Sequence, residues 1–296
     1  MDKDVLLEEF IRHLRVERGL SRNTWLSYGY QLRGYLALLV AHGKGPLSAG
    51  RDDVLAYMEA KKNAGRRSAT LFIAAMAIRQ FHRFLAERGR AATDPTAGLK
   101  LPKYRQRLPE PLTATEMEKL LGLPTGDKFH FVRMKAALEL LYATGMRVSE
   151  MTGLRLDQLR LQEDWIRVLG KGGRERVLPV GPRAKEALMH YLEARRRRFP
   201  GVQGTVFLTS RGVAMNRSAF WWELRRLGRR AGLSGRLFPH RIRHTAGTLM
   251  LEGGADIRVI QALLGHRTIS TSARYLHVSA RHLAETCRIA HPAFHK

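Results

Sequence analysis

Cysteine, acidic side chains and long apolar runs are all scarce in this sequence. The single cysteine excludes an internal disulfide and leaves too few thiols for a cysteine-based zinc site. No apolar run approaches the roughly 20 residues that a membrane helix needs. The first residues, MDKDVLLEEF, also lack the pattern of a signal peptide. We therefore expect a soluble, cytoplasmic protein with no membrane partner.

Nucleotide-binding and metalloprotease motifs are missing as well. The sequence contains no G-x-x-x-x-G-K-[ST], no G-x-G-x-x-G and no H-E-x-x-H. His240 and His244 could share one face of a helix, but arginines and no acidic residue stand between them. The sequence therefore predicts neither a cofactor nor a metal ion.

The charge is strongly one-sided, with 52 Lys and Arg against 26 Asp and Glu, a formal net charge of +26 and a pI of about 11.2. A polyanionic partner follows, and nucleic acid is the commonest one. Most of these basic residues are arginine, whose planar fork suits phosphate oxygens. A genome of biased base composition would also enrich arginine. Charge alone does not separate an enzyme from a protein that only coats nucleic acid.

A proline-rich stretch, TDPTAGLKLPKYRQRLPEPLT, divides the chain. We predict a helical domain over 1–104, a linker over 105–111 and a mixed domain over 112–296. Apolar periodicity predicts four helices in the first domain: 5–16, 23–40, 52–61 and 69–87. In the second it predicts a hairpin of strands 165–169 and 176–180, with helices at 114–123, 129–143, 182–197, 216–231, 240–251, 256–264 and 279–290. Both domains are basic, so we expect a clamp that closes around a duplex.

Six side chains stand at positions that suggest chemistry: Arg147, Lys171, His240, Arg243, His266 and Tyr275. Arg147 follows a Thr-Gly turn, and Lys171 lies in the tight turn of the predicted hairpin. His240 and Arg243 form H-x-x-R, so they share a helix face. Each residue alone also fits an ordinary role in surface charge, hairpin solubility or core packing.

Taken in order, these segments resemble the catalytic domain of the tyrosine recombinase family. The matching boxes are LLYATGMRVSEMTGL, the hairpin Lys, FPHRIRHTAGTLML and LLGHRTISTSARYLHV. The gap of 23 residues from Arg243 to His266, and then nine to Tyr275, is typical of that family. The segment GLSRNTWLSYGYQL is similar to the entry helix of the family's core-binding domain. KYRQRLPEPLT and AHPAFHK resemble the Xer group of chromosome-dimer resolution enzymes, with a lean towards the XerD type over the XerC type.

The resemblance implies a mainly α fold with a small β-hairpin in the catalytic domain, and chemistry that needs neither metal nor ATP. Tyr275 would be the nucleophile, and His240 would accept its proton or bond the phosphate. Lys171 would be the general acid, and His266 would hydrogen-bond the scissile phosphate. Arg147 and Arg243 would stabilise the charge that grows on the non-bridging oxygens, with Glu150 orienting Arg147. Three departures from the pattern blur the subfamily but touch no catalytic position: Gln31, Ala246 and Ser272.

The implied partners are double-stranded DNA with an inverted-repeat site, a second Xer recombinase in a homo- or heterotetramer, and an FtsK-type DNA translocase. Two alternatives stay open. The chain could be a phage, plasmid or transposon integrase or act like a type IB topoisomerase, or it could be a DNA-binding protein that has lost its chemistry. The amphipathic segment 279–290 must bury its apolar stripe, either on its own domain or on a neighbouring protomer.

Overall fold

The computed structural model describes residues 2–100, 110–170, 173, 175–233, 237–265 and 276–295, with the side chains of the last helix described from Leu283 onward. Lys171, His266 and Tyr275, three of the predicted catalytic residues, lie outside the described residues. The chain forms two compact units, Met1–Leu108 and Pro109–Lys296. No helix in the described part is long and apolar enough to cross a membrane.

The first unit consists of four helices, as the periodicity predicted: α1 Lys3–Val16, α2 Arg22–Ala41, α3 Arg51–Asn63 and α4 Ser68–Glu87. Their apolar faces meet in one core, in which α4 contributes small alanines beside Ile78, Phe81 and Leu85. α2 packs on α1 and α4. One polar pair lies inside this core, where the Tyr35 hydroxyl and the His82 Nε2 atom are 2.9 Å apart.

The second unit contains eight helices among its described residues. They are α5 Ala114–Gly122, α6 Phe129–Thr144, α7 Val148–Thr152, α8 Pro182–Arg198, α9 Arg217–Arg230, α10 Pro239–Glu252, α11 Ile257–Leu264 and α12 Leu276–Ala290. The sequence predicted all of these except α7, and α12 begins earlier than the predicted start at residue 279. The hairpin is confirmed and gains a short third strand, giving the antiparallel order β1 Leu159–Arg160, β2 Trp165–Leu169 and β3 Glu175–Pro179.

Helix α6 is the centre of the second unit. It is buried on nearly every side and packs against α8, α10 and the C-terminal 3₁₀ turn Pro292–Phe294. Apart from a few charged side chains, its residues are apolar on every face, as is typical of a helix inside a protein. Helix α7 follows the C-terminus of α6, and α10 packs against α6. Both helices therefore take fixed positions relative to that end.

The described end of the C-terminal segment packs on its own unit. Leu283, Cys287 and Ala290 of α12 are all buried in the core of this unit. The His291 ring is fully buried, with its Nε2 atom 3.0 Å from the Tyr142 carbonyl oxygen. The apolar stripe of α12 therefore packs on its own unit, which is the first of the two alternatives that the sequence left open.

Candidate active site

The site is built around the C-terminus of α6. That helix ends at Gly145, which has a φ of 57°, a left-handed conformation that glycine adopts without strain. A Cβ atom at this position would lie 2.6 Å from the Leu264 side chain, so glycine also permits α11 to approach. The chain then reverses, and Arg147 becomes the N-cap residue of α7.

Glu150 fixes both ends of Arg147. The Arg147 backbone N–H donates to Glu150 Oε2 at 2.8 Å, and its Nη1 donates to Oε1 at 3.0 Å. The remaining amino group, Nη2, donates to the Gly265 carbonyl oxygen at 3.3 Å. The structure thus confirms the expectation that Glu150 orients Arg147. The Arg147 side chain keeps 34% of its surface exposed, so it still faces solvent.

Arg243 lies near the start of α10, three residues after His240, and its guanidinium is buried against main chain. Its Nη1 donates to the Gly145 carbonyl at 2.5 Å, and its Nη2 donates to the Leu264 carbonyl. Both acceptors are neutral. Among the described residues, Arg243 has no carboxylate within ion-pair distance.

A third arginine, Arg176 on β3, completes the cluster. Its Nη1 and Nη2 donate to the two oxygens of Glu150 at 2.9 and 2.8 Å, and its Nε donates to the Leu263 carbonyl at 3.1 Å. The carbonyls of Leu263, Leu264 and Gly265, at the C-terminal end of α11, thus each accept from an arginine. Cations are favourable at a helix C-terminus, where the backbone carbonyls lack partners. The arginines therefore fix the end of α11, directly before the predicted His266.

Sequence reasoning did not single out Arg176, although a signal was present. Arg176 pairs across the sheet with Val168, and Leu178 pairs with Ile166. Those three apolar residues are buried, and alternate residues of a strand share one face. An arginine on the inward face of a strand needs a buried acid or carbonyl as partner.

The cluster holds more positive than negative charge, because three guanidiniums surround the single carboxylate of Glu150. Burial, reinforced by the charges of Arg147 and Arg176, lowers the pKa of Arg243 to about 10. The pKa of Glu150 is raised by burial, but the bonds from Arg176 and Arg147 outweigh this and leave it below its usual value. The carboxylate is therefore ionised at neutral pH, and the Arg243 guanidinium keeps its proton. A bound anion would relieve the remaining repulsion among the arginines.

His240 borders this cluster and is exposed to solvent. Partial desolvation of the ring, together with the charges of Arg243 and Arg147, lowers its pKa below the usual value for histidine. A neutral imidazole can accept a proton or a hydrogen bond. Of the six predicted catalytic residues, the structure thus brings together the three that it describes, Arg147, His240 and Arg243. Within the described residues, no three His, Cys, Asp or Glu side chains gather in a way that could hold a metal ion.

Helix α9 packs beside α7 and carries aromatic and basic side chains on its outer surface. The Arg225 guanidinium lies 4.7 Å from the ring centroid of Trp221 and 5.7 Å from that of Trp222. Trp222 is 61% exposed. Exposed indole rings beside arginine are suited to contact with nucleic acid, through stacking and phosphate attraction. Helix α9 therefore gives the unit that holds the arginine cluster a basic and aromatic surface.

Comparison with known families covers both units. Residues 110–282 match the Phage integrase family, and residues 7–89 match the family described as Phage integrase, N-terminal SAM-like domain. Among curated proteins, the chain is 39% identical over 290 residues to tyrosine recombinase XerD of Halalkalibacterium halodurans, covering 97% of each chain. It is 36% identical over 293 residues to tyrosine recombinase XerD of Shewanella oneidensis, covering 98% of this chain and 97% of the relative.

Solved structures share the fold at lower identity. The integrase of transposon Tn1549, in complex with circular intermediate DNA, superposes with a TM-score of 0.71 at 20% identity and covers 94% of this chain and 98% of its own. A lambda integrase dimer bound to a core site gives a TM-score of 0.70 at 19% identity, covering 92% and 98%. XerH recombinase bound to its difH substrate gives 0.67 at 17% identity, covering 93% and 84%.

Proposed function

The chain belongs to the phage integrase family and is a XerD-like tyrosine recombinase, an enzyme that cleaves and rejoins DNA, and on this premise we propose that it exchanges strands through a 3′-phosphotyrosyl link at Tyr275. The observation that carries the proposal is the surplus of positive charge around Glu150. A phosphodiester is an anion with two non-bridging oxygens, and Arg147 and Arg243 offer two guanidiniums for them. Because negative charge grows on these oxygens during transfer, fixed cations stabilise the transition state more than the ground state.

The remaining roles follow from the same reaction. The Tyr275 oxygen attacks phosphorus while the bond to the 5′ oxygen breaks. Its proton passes to His240, whose lowered pKa keeps the ring neutral and able to accept it. Lys171 gives a proton to the departing 5′ oxygen, and His266 hydrogen-bonds the phosphate. Because the phosphotyrosyl link keeps the energy of the broken bond, the 5′ hydroxyl of a second strand can reverse the step without ATP.

The biological role that we propose is resolution of chromosome dimers at an inverted-repeat site in the terminus region, in the bacterial cytoplasm. Curated relatives at 36 to 39% identity carry the name XerD, which supports this role. We propose that residues 1–104 bind the core of the site, that 105–111 form a linker and that 112–296 catalyse, so that the two domains clamp the duplex. A second Xer recombinase would complete a tetramer on two sites, and an FtsK-type translocase would deliver them.

The direct test is covalent capture on a nicked suicide duplex that carries the inverted repeat. The full chain should form a protein–DNA adduct that survives denaturing electrophoresis. Tyr275→Phe should form none while binding the intact duplex with nearly unchanged affinity, because only the nucleophilic oxygen is lost. An adduct with the phenylalanine variant would show that Tyr275 is not the nucleophile. Absence of an adduct with the wild-type chain would refute strand cleavage through tyrosine.

A further inference from the structure

We infer that Arg176 is a positioning residue for strand cleavage, which serves as the counter-ion of Glu150 and thereby leaves the charge of Arg147 available to the transferring phosphate. The inference rests on the proposed function, because it assigns Arg147 to the phosphate. It concerns a side chain on β3 that none of the sequence boxes includes.

The carboxylate of Glu150 is fully occupied. Its Oε1 accepts from the Nη1 atoms of Arg147 and Arg176, and its Oε2 accepts from the Arg147 backbone N–H and from Arg176 Nη2. These four bonds use all the acceptor positions that a carboxylate has. The side chain of Glu150 is only 5% exposed, so solvent does not compete for its oxygens.

Arg176 makes the stronger side-chain interaction with that carboxylate. Its two parallel bonds, at 2.9 and 2.8 Å, form the fork geometry that gives arginine–carboxylate pairs their strength. The Arg147 guanidinium makes a single side-chain bond to Glu150, at 3.0 Å. Only 14% of the Arg176 side chain is exposed, against 34% for Arg147. Arg176, the less exposed of the two, therefore neutralises the acid, and Arg147 remains a cation that faces solvent.

Loss of Arg176 would change the role of Arg147. Glu150 would keep its buried negative charge, which is costly without a full partner. Arg147 is the guanidinium already bonded to it, so Arg147 would turn to form the bidentate pair itself. Its charge would then be paired with Glu150 and would point away from the phosphate. Removing a cation that is bonded to Glu150 would thus weaken the electrostatic stabilisation of the transition state.

The test is a comparison of single-turnover cleavage rates on the suicide duplex, with the full-length chain at saturating concentration. Arg176→Ala should cleave about 100-fold more slowly than wild type, the loss typical of one oxyanion donor, with DNA affinity changed less than about 3-fold. Adding Glu150→Gln to Arg176→Ala should restore at least about 10-fold of the rate, because the uncompensated charge is gone. A double variant as slow as Arg176→Ala, or slower, would overturn the inference.

A second pair of variants keeps the test decisive if alanine disturbs the fold. Arg176→Lys keeps the charge and loses the fork, whereas Arg176→Gln keeps hydrogen-bond donors and loses the charge. A counter-ion role predicts that the lysine variant cleaves faster than the glutamine variant. A packing or hydrogen-bonding role predicts the opposite order, which would overturn the inference.

Arg183 provides a matched control in the same unit. It also forms a bidentate pair with a carboxylate, donating to Glu118 at 2.8 and 3.0 Å, but it lies on α8 and outside the arginine cluster. Arg183→Ala should cleave at the wild-type rate. The wild-type adduct on the same gel reports on the proposed function. If wild type forms no adduct, both proposals fall; if it does and the variants break the predicted order, only the role of Arg176 falls.

Discussion

The polar pair in the core of the first unit and the arginine cluster of the second unit differ in charge. In the first, the Tyr35–His82 pair is buried in neutral form, because desolvation lowers the pKa of His82 to about 4 and raises that of Tyr35. In the second, Arg147, Arg176 and Arg243 stay charged around a single acid. Burying like charges is expensive, whereas burying a neutral bonded pair costs little. A surplus of positive charge gathered around one buried acid therefore indicates that this part of the second unit has a task beyond folding.

The contrast also holds within the second unit. Arg183 contacts two acids, Glu118 and Glu139, so positive charge is not in excess there. The buried His291 resembles His82, since desolvation lowers its pKa to about 4 as well. Arg195 on α8 is likewise buried against neutral carbonyls, but at the ends of α6 and α11 several guanidiniums gather around one carboxylate.

Replacing Arg147 should give the largest effect of the substitutions that test this contrast. Arg147→Ala should lower the cleavage rate by about 100- to 1000-fold, because it removes one of the two cations on the phosphate. Its side chain is one-third exposed, so the free energy of unfolding should change by no more than about 1 kcal/mol. Single-turnover cleavage and urea denaturation measure the two quantities.

Arg155→Ala is the control for that experiment. Arg155 pairs with Asp157 on the surface of the same unit, where both side chains are more than half exposed. We expect its cleavage rate and stability to match wild type within about 2-fold and 0.5 kcal/mol. Equal cleavage by Arg147→Ala and wild type would remove the distinction drawn between the two interiors.

The fold was largely predictable from the sequence, and the exceptions are short. The long helices show apolar periodicity over several turns, which one sequence is enough to reveal. Helix α7 has five residues and β1 has two, so neither is long enough for its pattern to repeat twice. Their positions depend on the preceding α6 and on pairing with β2, which are tertiary contacts.

The site was predictable only in part. Arg147, His240 and Arg243 came from motif order, and the structure places them together. The partners of Arg243 are the carbonyls of Gly145 and Leu264, and backbone carbonyls leave no trace in residue identity. The bidentate pair between Arg176 and Glu150 forms because β3 lies beside α7, and the local sequence does not specify that arrangement. Lys171, His266 and Tyr275 lie outside the described residues, so their roles stay predictions.

Acid pH should give the next effect, through the two buried histidines. Both have a pKa lowered from 6.5 to about 4 in the folded chain. Above pH 6.5 they are neutral in both states and cost nothing. As the pH falls from about 6.5 to about 4, the unfolded chain gains protons that the folded chain excludes, so stability falls with pH. The loss should be about 3 kcal/mol for each histidine.

Urea denaturation at a series of pH values separates the two contributions. His82→Gln and His291→Gln each replace a titrating ring with a neutral amide. Each should therefore remove the contribution of that histidine to the fall in the free energy of unfolding below pH 6.5. The comparison is made on the slope with pH, since either substitution also lowers stability at neutral pH. A wild-type decline that neither variant reduces would show that these histidines take up protons freely in the folded state.

The smallest effect should come from the hydroxyl of Tyr35 in the first unit. Tyr35→Phe keeps the ring, which packs 5.4 Å from that of Tyr57, and removes the oxygen that bonds His82 Nε2. The Nδ1 atom of His82 already finds no hydrogen-bond partner among the described residues, so the imidazole would lose its one side-chain bond in a fully buried place. We expect the free energy of unfolding to fall by about 1 to 2 kcal/mol. Cleavage of the suicide duplex should be unchanged at 25 °C, because the variant stays folded and the arginine cluster is untouched.

Tyr30→Phe, at a ring that is 69% exposed, is the matched control and should alter neither quantity. A Tyr35→Phe variant that keeps its stability but loses cleavage would mean that the neutral pair takes part in the reaction, and the division between a folding interior and a reacting interior would have to be abandoned.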